Sequence, residues 1–262
     1  MKTFSIITIC CYLVSIGFVI PYLAKENAAY KKVALIFAGI ALVGHLIILQ
    51  DKLFHLAPTE TLSLLAIASA VCFIINIAMT IVAAKDRGWL LVPVVYSLSI
   101  VTIAMANFMP LPIIMHLEAT PSLLFHIVLA LIGYATLVIS TLYALQVAFV
   151  NHQLKSKVIM HSDMPPLMTL ERKFFHITQV GYFLLTLTLI TGAIYIDNIF
   201  DRHNIHKVIF SLIAWGVYST LLWGHYLKGW RGTRVVWLSV IATAILTLAY
   251  FGSRLIQSLI YF

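Results

Sequence analysis

Histidine is the side chain in this sequence with the most chemistry to offer. Ten histidines occur in a chain of 262 residues, of which 62% are apolar and only 10% are charged. Imidazole nitrogens ligate haem iron, zinc and copper. An ionisable side chain within an apolar segment is costly, and such residues commonly belong to functional sites in membrane proteins. Histidines in or beside apolar segments are therefore the first candidates for ligands.

His126 lies near the start of a long apolar segment, and this segment directly follows Ala119-Thr120-Pro121. Mainly small residues follow it at helical spacing, and they would form a stripe beneath the imidazole. That stripe comprises Ala130, Gly133, Leu137 and Ser140. A flat macrocycle could approach such a surface, but small residues also let two membrane helices pack closely. Both interpretations stay open at this point.

His176 and His225 form the second candidate site. His176 opens one apolar segment and His225 closes the next. Consecutive membrane helices run antiparallel, so the sequence predicts both imidazoles at a similar depth, as a bis-histidine site requires. The alternative is a pair of interfacial histidines that lie among lipid headgroups.

Three further histidines are candidate outer ligands with a weaker signal. His45 lies about two-thirds along the second apolar segment, where a hydrogen bond to a neighbouring helix is the competing role. His116 and His206 lie in or beside loops, as does His203. For these, a solvated loop is the competing interpretation.

The elements that must position these residues are apolar segments long enough to cross a membrane. A transmembrane helix needs roughly 20 apolar residues. All nine Asp and Glu residues lie outside the middle of the segments, and strand-like alternation is absent. The sequence predicts an all-α polytopic membrane protein with a single domain over residues 1–262. The predicted helices span 3–23, 32–50, 62–84, 89–109, 122–150, 174–197, 206–227 and 234–258.

The basic residues predict the orientation. The connections between successive helices lie alternately on the two sides of the membrane, and of the seventeen Lys and Arg residues twelve belong to one side and five to the other. Cytoplasmic loops carry the excess of basic residues. The larger group is Lys25, Lys31, Lys32, Lys85, Arg87, Lys155, Lys157, Arg172, Lys173, Lys228, Arg231 and Arg234; the smaller is Lys2, Lys52, Arg202, Lys207 and Arg254. Both termini are therefore predicted to be periplasmic. The net charge of +8 is spread over loops, so no nucleic-acid surface is expected.

Other catalytic chemistry is weakly represented. The sequence has no G-x-S-x-G, H-E-x-x-H or P-loop motif. Its three cysteines, Cys10, Cys11 and Cys72, lie within predicted spans and form no C-x-x-C-H haem-attachment motif. We therefore expect a binding protein and not an enzyme.

Three runs of residues carry a family resemblance. The first is Leu124-Phe125-His126-Ile127 followed by Gly133-Tyr134-Ala135. The second is Phe183-Leu184-Leu185-Thr186 with Gly192-Ala193. The third is Leu222-Trp223-Gly224-His225. With these runs the chain resembles the cytochrome c assembly protein family, in particular its CcsA/CcmC group and related HemX-like proteins.

The resemblance implies a non-covalent b-type haem, a bacterial inner membrane and partners among lipids and other proteins of the cytochrome c or haem pathway. His126 matches the family's first outer histidine and His225 its inner one. Two features depart from the family pattern. The loop 197–203 has no tryptophan, and the chain reaches Phe262 without a late outer histidine. Haem storage or passage is thus a better expectation than final attachment to apocytochrome.

Two other functions remain open from the sequence. Many histidines suit softer transition metals, so an auxiliary role in divalent metal transport or tolerance is one alternative. Histidines on several helices also suit a b-type electron-transfer cytochrome.

The charge asymmetry generates a topology prediction. A reporter fused after Lys157 should show a cytoplasmic location, and one fused at the C-terminus should show a periplasmic location, because of the positive-inside rule. Paired phosphatase and fluorescent-protein fusions measure this. The reverse pattern would invert every inner and outer assignment made above.

Overall fold

A computed structural model describes residues 2–25, 27–54, 64–85, 89–108, 121–156, 166–195 and 205–252. These residues form eight α-helices, and no strand occurs among them. The helices are α1 (Lys2–Lys25), α2 (Ala28–Phe54), α3 (Leu64–Lys85), α4 (Val92–Phe108), α5 (Pro121–Lys155), α6 (Leu167–Tyr195), α7 (Ile205–Lys228) and α8 (Thr233–Thr247). A 3₁₀ turn, Trp89–Leu91, leads into α4, and a π-helical turn, Leu248–Gly252, follows α8.

Eight helical segments are long and apolar enough to cross a membrane. The predicted all-α polytopic fold is thereby confirmed. Helix α5 has 35 residues, which corresponds to about 52 Å at the rise of an α-helix and exceeds the thickness of a hydrocarbon core. It is therefore longer than a span of the hydrocarbon core requires.

Two predicted boundaries differ most from the structure: α8, expected to residue 258, ends at Thr247 and passes into the π-helical turn, with residues 253–258 outside the described part, and α6 begins earlier than expected. We expected this helix from residue 174, but it begins at Leu167, directly after Pro166. The backbone N–H groups of Thr169 and Leu170 donate to the Pro166 carbonyl. Leu170 and Phe174 are both buried, so packing stabilises these first two turns although Glu171, Arg172 and Lys173 make them resemble a loop.

The helices form two compact units, α1–α4 and α5–α8. In the first unit α1 packs against α2 and α4, and α3 packs against α2 and α4. Alanines line the contact face of α2, and the Ser15 hydroxyl of α1 donates to the Ala34 carbonyl of α2 over 2.9 Å. The prediction of a single domain over residues 1–262 stays a prediction.

In the second unit α5 packs along α6, and the stripe of small residues below His126 forms this interface. A Cβ added to Gly133 would lie 3.3 Å from the Leu184 Cβ, and one added to Gly181 would lie 2.6 Å from the Leu137 Cδ2. The Ser140 and Thr178 hydroxyls are hydrogen-bonded across the same interface. Of the two interpretations of the stripe, close helix packing is the one that the structure shows.

Gly181→Ala should therefore destabilise the α5–α6 pair. The added methyl group overlaps Leu137, and overpacking of this kind costs about 1–3 kcal/mol. The matched control is Gly216→Ala on α7, where nothing lies within 4 Å of the added Cβ. The control should keep or raise stability, by at most about 1 kcal/mol, because alanine favours helix. Thermal unfolding midpoints in detergent measure both; equal midpoints for the two variants would contradict the packing.

Candidate functional site

The C-terminal end of α7 positions His225. Gly229 follows the helix with a φ of 65°, a left-handed conformation that glycine adopts without strain. Its N–H donates to the His225 carbonyl over 3.1 Å, and the N–H of Trp230 donates to the Gly224 carbonyl over 3.0 Å. The chain thus reverses immediately below the imidazole.

This reversal brings a backbone acceptor to the His225 ring. The imidazole Nδ1 lies 3.0 Å from the Trp230 carbonyl oxygen, and because a carbonyl can only accept, Nδ1 must carry the proton. In the neutral form of the ring Nε2 then holds an unshared electron pair, and no described residue donates a hydrogen bond to it. A hydrogen bond from one ring N–H to a backbone carbonyl is the usual way in which a protein fixes the tautomer of a metal-ligating histidine.

A stacked aromatic ring and the packing of the turn after α7 hold the imidazole of His225 in place. Phe175 of α6 stacks on it with ring centroids 3.3 Å apart and an interplanar angle of 12°. The Trp230 ring lies in the space beside Gly224 that any side chain would fill. Stacking and the backbone hydrogen bond leave the ring one orientation, which reduces the entropy lost on binding a ligand.

His126 near the start of α5 has a similar pattern of proton donation. Its Nδ1 lies 2.9 Å from the Thr191 Oγ1, and the Thr191 hydroxyl itself donates to the Thr188 carbonyl over 3.1 Å. Thr191 must therefore accept from His126, so Nδ1 carries the proton here too. A Cβ added to Gly192 would lie 3.1 Å from the ring, so this glycine lets α6 approach the imidazole closely.

His126 and His225 therefore fit the chemistry that haem requires of an axial ligand. Iron binds the unprotonated nitrogen of a neutral imidazole, and in the neutral form of these two half-buried rings that nitrogen is Nε2. Their supports differ. A backbone carbonyl orients His225, whereas a threonine side chain orients His126.

His176 is placed differently from the sequence expectation. It is exposed on α6, and its neighbour Phe175 is the residue that reaches His225. Consecutive residues on an α-helix point about 100° apart, so both cannot face α7 in one rotation of α6. The structure does not bring the two imidazoles into contact. The assignment of His176 as a ligand stays a prediction.

The candidate outer ligands have different surroundings. His206 is exposed at the start of α7 and makes no hydrogen bond with the described residues. His116 and His203 lie outside the described residues. His45 is completely buried in α2. It forms hydrogen bonds to neighbouring helices, which was the competing role expected for it.

Both ring nitrogens of His45 are occupied. The Asn76 amide donates to the Tyr12 hydroxyl over 2.9 Å, so the phenolic proton of Tyr12 is free for the His45 Nδ1 at 3.2 Å. The His45 Nε2 then donates to the Ser69 hydroxyl over 2.8 Å. This chain of bonds joins α1, α2 and α3, and iron could bind His45 only by displacing one of its partners.

The polar core around His45 is nearly saturated. The Asn76 amide also donates to the Ser99 hydroxyl of α4 over 2.8 Å. Within the described part of the chain, the Asn76 Oδ1 is a buried acceptor without a partner. An unmatched buried acceptor of this kind costs about 1–3 kcal/mol unless water reaches it.

The supports of the site were the part that sequence reasoning missed. Phe175, the Trp230 carbonyl and Gly224 hold His225, and only the glycines at 229 and 232 signalled a reversal there. Thr191 supports His126 from 65 positions further along the chain, and no local pattern in the sequence signals a contact at that separation.

A structural role for His45 predicts a large effect on stability. His45→Ala should lower the free energy of unfolding by roughly 2–4 kcal/mol, because it removes the acceptor of the Tyr12 phenolic proton and the donor to the Ser69 hydroxyl in an apolar core. The control is His152→Ala, an exposed histidine on α5, which should change it little. Thermal unfolding in detergent measures both. A His45→Ala protein as stable as the control would contradict the role.

The family model and several of the similar proteins belong to cytochrome c assembly or biogenesis. The family model described as Cytochrome C assembly protein matches residues 33–261. An inner membrane protein named YpjD from Escherichia coli K12 is 50% identical over 262 residues, which are 99% of this chain and 100% of that protein. A cytochrome c biogenesis protein CcsA from Synechococcus is 28% identical over 89 residues, 33% of this chain and 29% of that protein.

An uncharacterised 28.8 kDa protein of Azospirillum brasilense is 27% identical over 201 residues, 74% of this chain and 73% of that protein. No solved structure matches the chain. The residues matched by the family model include every candidate histidine, and the likeness to YpjD covers 99% of the chain. On this basis the chain belongs to the cytochrome c assembly protein family.

Proposed function

We propose that this chain is a multi-pass inner-membrane protein that binds haem through histidine and serves cytochrome c biogenesis or a related haem pathway as a haem store or conduit. Membership of the cytochrome c assembly family supports this role, as does the likeness to proteins named for cytochrome c biogenesis. The chain would then act on haem as cargo, without making or breaking covalent bonds.

The observation that carries the proposal is the state of the His225 imidazole. A backbone carbonyl holds its Nδ1 proton, an aromatic ring holds its plane, and Nε2 is left for a metal. A bound haem would supply an iron atom that takes Nε2 as an axial ligand. His225 is oriented before the haem arrives, so this ligand requires little rearrangement on binding.

His126 is the proposed ligand of a second, outer site. Its support is a threonine hydroxyl, which rotates more freely than a backbone carbonyl. The candidates for its partner ligand are His116 and His206, in or beside loops whose ordering would cost conformational entropy. We therefore propose that haem occupies the outer site less than the inner site. The protein would then act as a conduit for haem more than as the factor that finally attaches it.

His176 is the proposed second axial ligand of the inner site. Its side chain is exposed and makes no hydrogen bond within the described residues, so it can change rotamer at small cost. The inner site would face the cytoplasm and both termini the periplasm, on the topology predicted from the basic residues.

Neither alternative function is favoured by an observation. Among the described residues, no group of three His, Cys, Asp or Glu side chains could hold a metal ion without a porphyrin. A b-type electron-transfer cytochrome would use the same two histidines, and reversible redox chemistry with quinol turnover would distinguish it. The proposed partners are membrane lipids and other membrane proteins of the pathway, with no nucleic acid.

The test compares bound haem in His225→Ala, His126→Ala and His176→Ala proteins made at equal levels. His225→Ala should lose most of the haem, because it removes the pre-oriented ligand, while His126→Ala should keep most of it. His176→Ala should convert a low-spin Soret signal to high spin. A pyridine haemochrome assay and the absorption spectrum measure these quantities.

His152→Ala is the control, because this histidine is exposed at the predicted cytoplasmic end of α5. It should bind haem like the wild type. If His126→Ala loses most haem and His225→Ala keeps it, the order of the two sites is the reverse of the one proposed. A wild-type protein that binds no haem would overturn the proposal altogether.

A further inference from the structure

The turn between α7 and α8 carries a cluster of cations around tryptophan rings. The Lys228 Nζ lies 4.4 Å from the centroid of the Trp223 ring and 5.9 Å from that of Trp230. The Arg234 guanidinium carbon lies 5.0 Å from the centroid of the Trp230 ring. The cluster formed by Lys228, Trp230, Arg231 and Arg234 is called the cationic turn below.

No acidic residue balances the cationic turn within the described structure. Only two carboxylates, Asp51 and Glu171, belong to the described residues, and neither pairs with Lys228, Arg231 or Arg234. All three cations are exposed. Aromatic rings attract cations but leave their charge in place, so the turn keeps three positive charges available to an anion.

The cationic turn is built from the same residues that orient His225. Lys228 follows His225 by three positions, which places the two on neighbouring parts of the α7 surface. The Trp230 that lies beside both Lys228 and Arg234 also provides the carbonyl for the His225 Nδ1. The tryptophan that the two cations contact is thus the residue that orients the imidazole.

Haem carries anionic groups as well as an iron atom. Two propionate carboxylates extend from one edge of the macrocycle, away from the iron and its axial ligand. Arginine and lysine form charge-assisted hydrogen bonds with carboxylates, and these are stronger than neutral ones. A ligand with iron at its centre and carboxylates at one edge could bind both the imidazole of His225 and the cations of this turn.

We propose that Lys228 and Arg234 bind the propionate carboxylates of haem held by His225. This inference rests on the proposed function and makes it specific, since it names the groups of haem that the chain recognises. Haem whose carboxylates are free would be accepted, and haem whose carboxylates are esterified would be discriminated against. Arg231, exposed in the same turn, adds to the local positive potential.

The test titrates purified full-length protein, in a neutral detergent, with haemin and with haemin dimethyl ester. The ester keeps the iron and the ring but removes both negative charges. Wild-type protein should bind haemin about tenfold more tightly than the ester, as expected for the loss of one or two charge-assisted hydrogen bonds. The Soret change on binding reports both affinities without any assay of activity.

Lys228→Gln and Arg234→Gln should each weaken haemin binding and leave ester binding unchanged, and together they should abolish the preference. The matched control is Lys31→Gln, because Lys31 also lies over a tryptophan, with its Nζ 5.8 Å from the Trp89 ring centroid. It should keep the wild-type preference. A loss of preference in the control equal to that in the turn variants would overturn the proposal.

Two other results are equally decisive. If wild-type protein binds haemin and the ester equally, haem binding stands and the carboxylate contact is wrong. If the cations serve only anionic lipid headgroups, the turn variants change the lipid that co-purifies while haemin affinity stays at the wild-type value, which also overturns the proposal. If neither compound binds, the proposed function fails together with this inference.

Discussion

A polar side chain inside a lipid bilayer has no water to bond, so each one must find a partner within the protein. Many hydroxyls here meet this requirement on their own helix. Thr80 donates to the Asn76 carbonyl and Thr136 to the Ile132 carbonyl, each four residues earlier. Others join helices, as Ser15 does with α2. The surroundings of the buried and half-buried histidines follow from the same requirement.

Histidine has two ring nitrogens, and the number of partners available decides what the ring can do. Where α1, α2 and α3 meet, His45 finds a partner for each nitrogen and becomes a structural link between helices. His225 and His126 lie nearer helix ends, where only one partner is in reach. Their second nitrogen is left with an electron pair, and this difference separates a core residue from a candidate ligand.

The sequence predicted the helices well because their signal is a long run of apolar residues, which depends on no distant contact. It failed at the start of α6, where charged residues 171–173 concealed a helical turn stabilised by the burial of Leu170 and Phe174. The candidate ligands His126 and His225 were identified from residue type and position. The arrangement around them was not, because Phe175 and His176 are adjacent in sequence, and only the rotation of α6 decides which one faces α7.

Gly224 illustrates how mutational data on this protein should be interpreted. It bears no functional group, yet the Trp230 ring occupies the space beside it, and the backbone of that same tryptophan holds the His225 proton. A methyl group at position 224 would displace the tryptophan and, with it, the acceptor on which the imidazole tautomer depends. In a genetic screen for loss of function, substitutions of Gly224 would therefore have effects like those of substituting a ligand, although Gly224 contacts no ligand. The loss of function at such a position would report how its packing supports the site, and not a chemical role of its own.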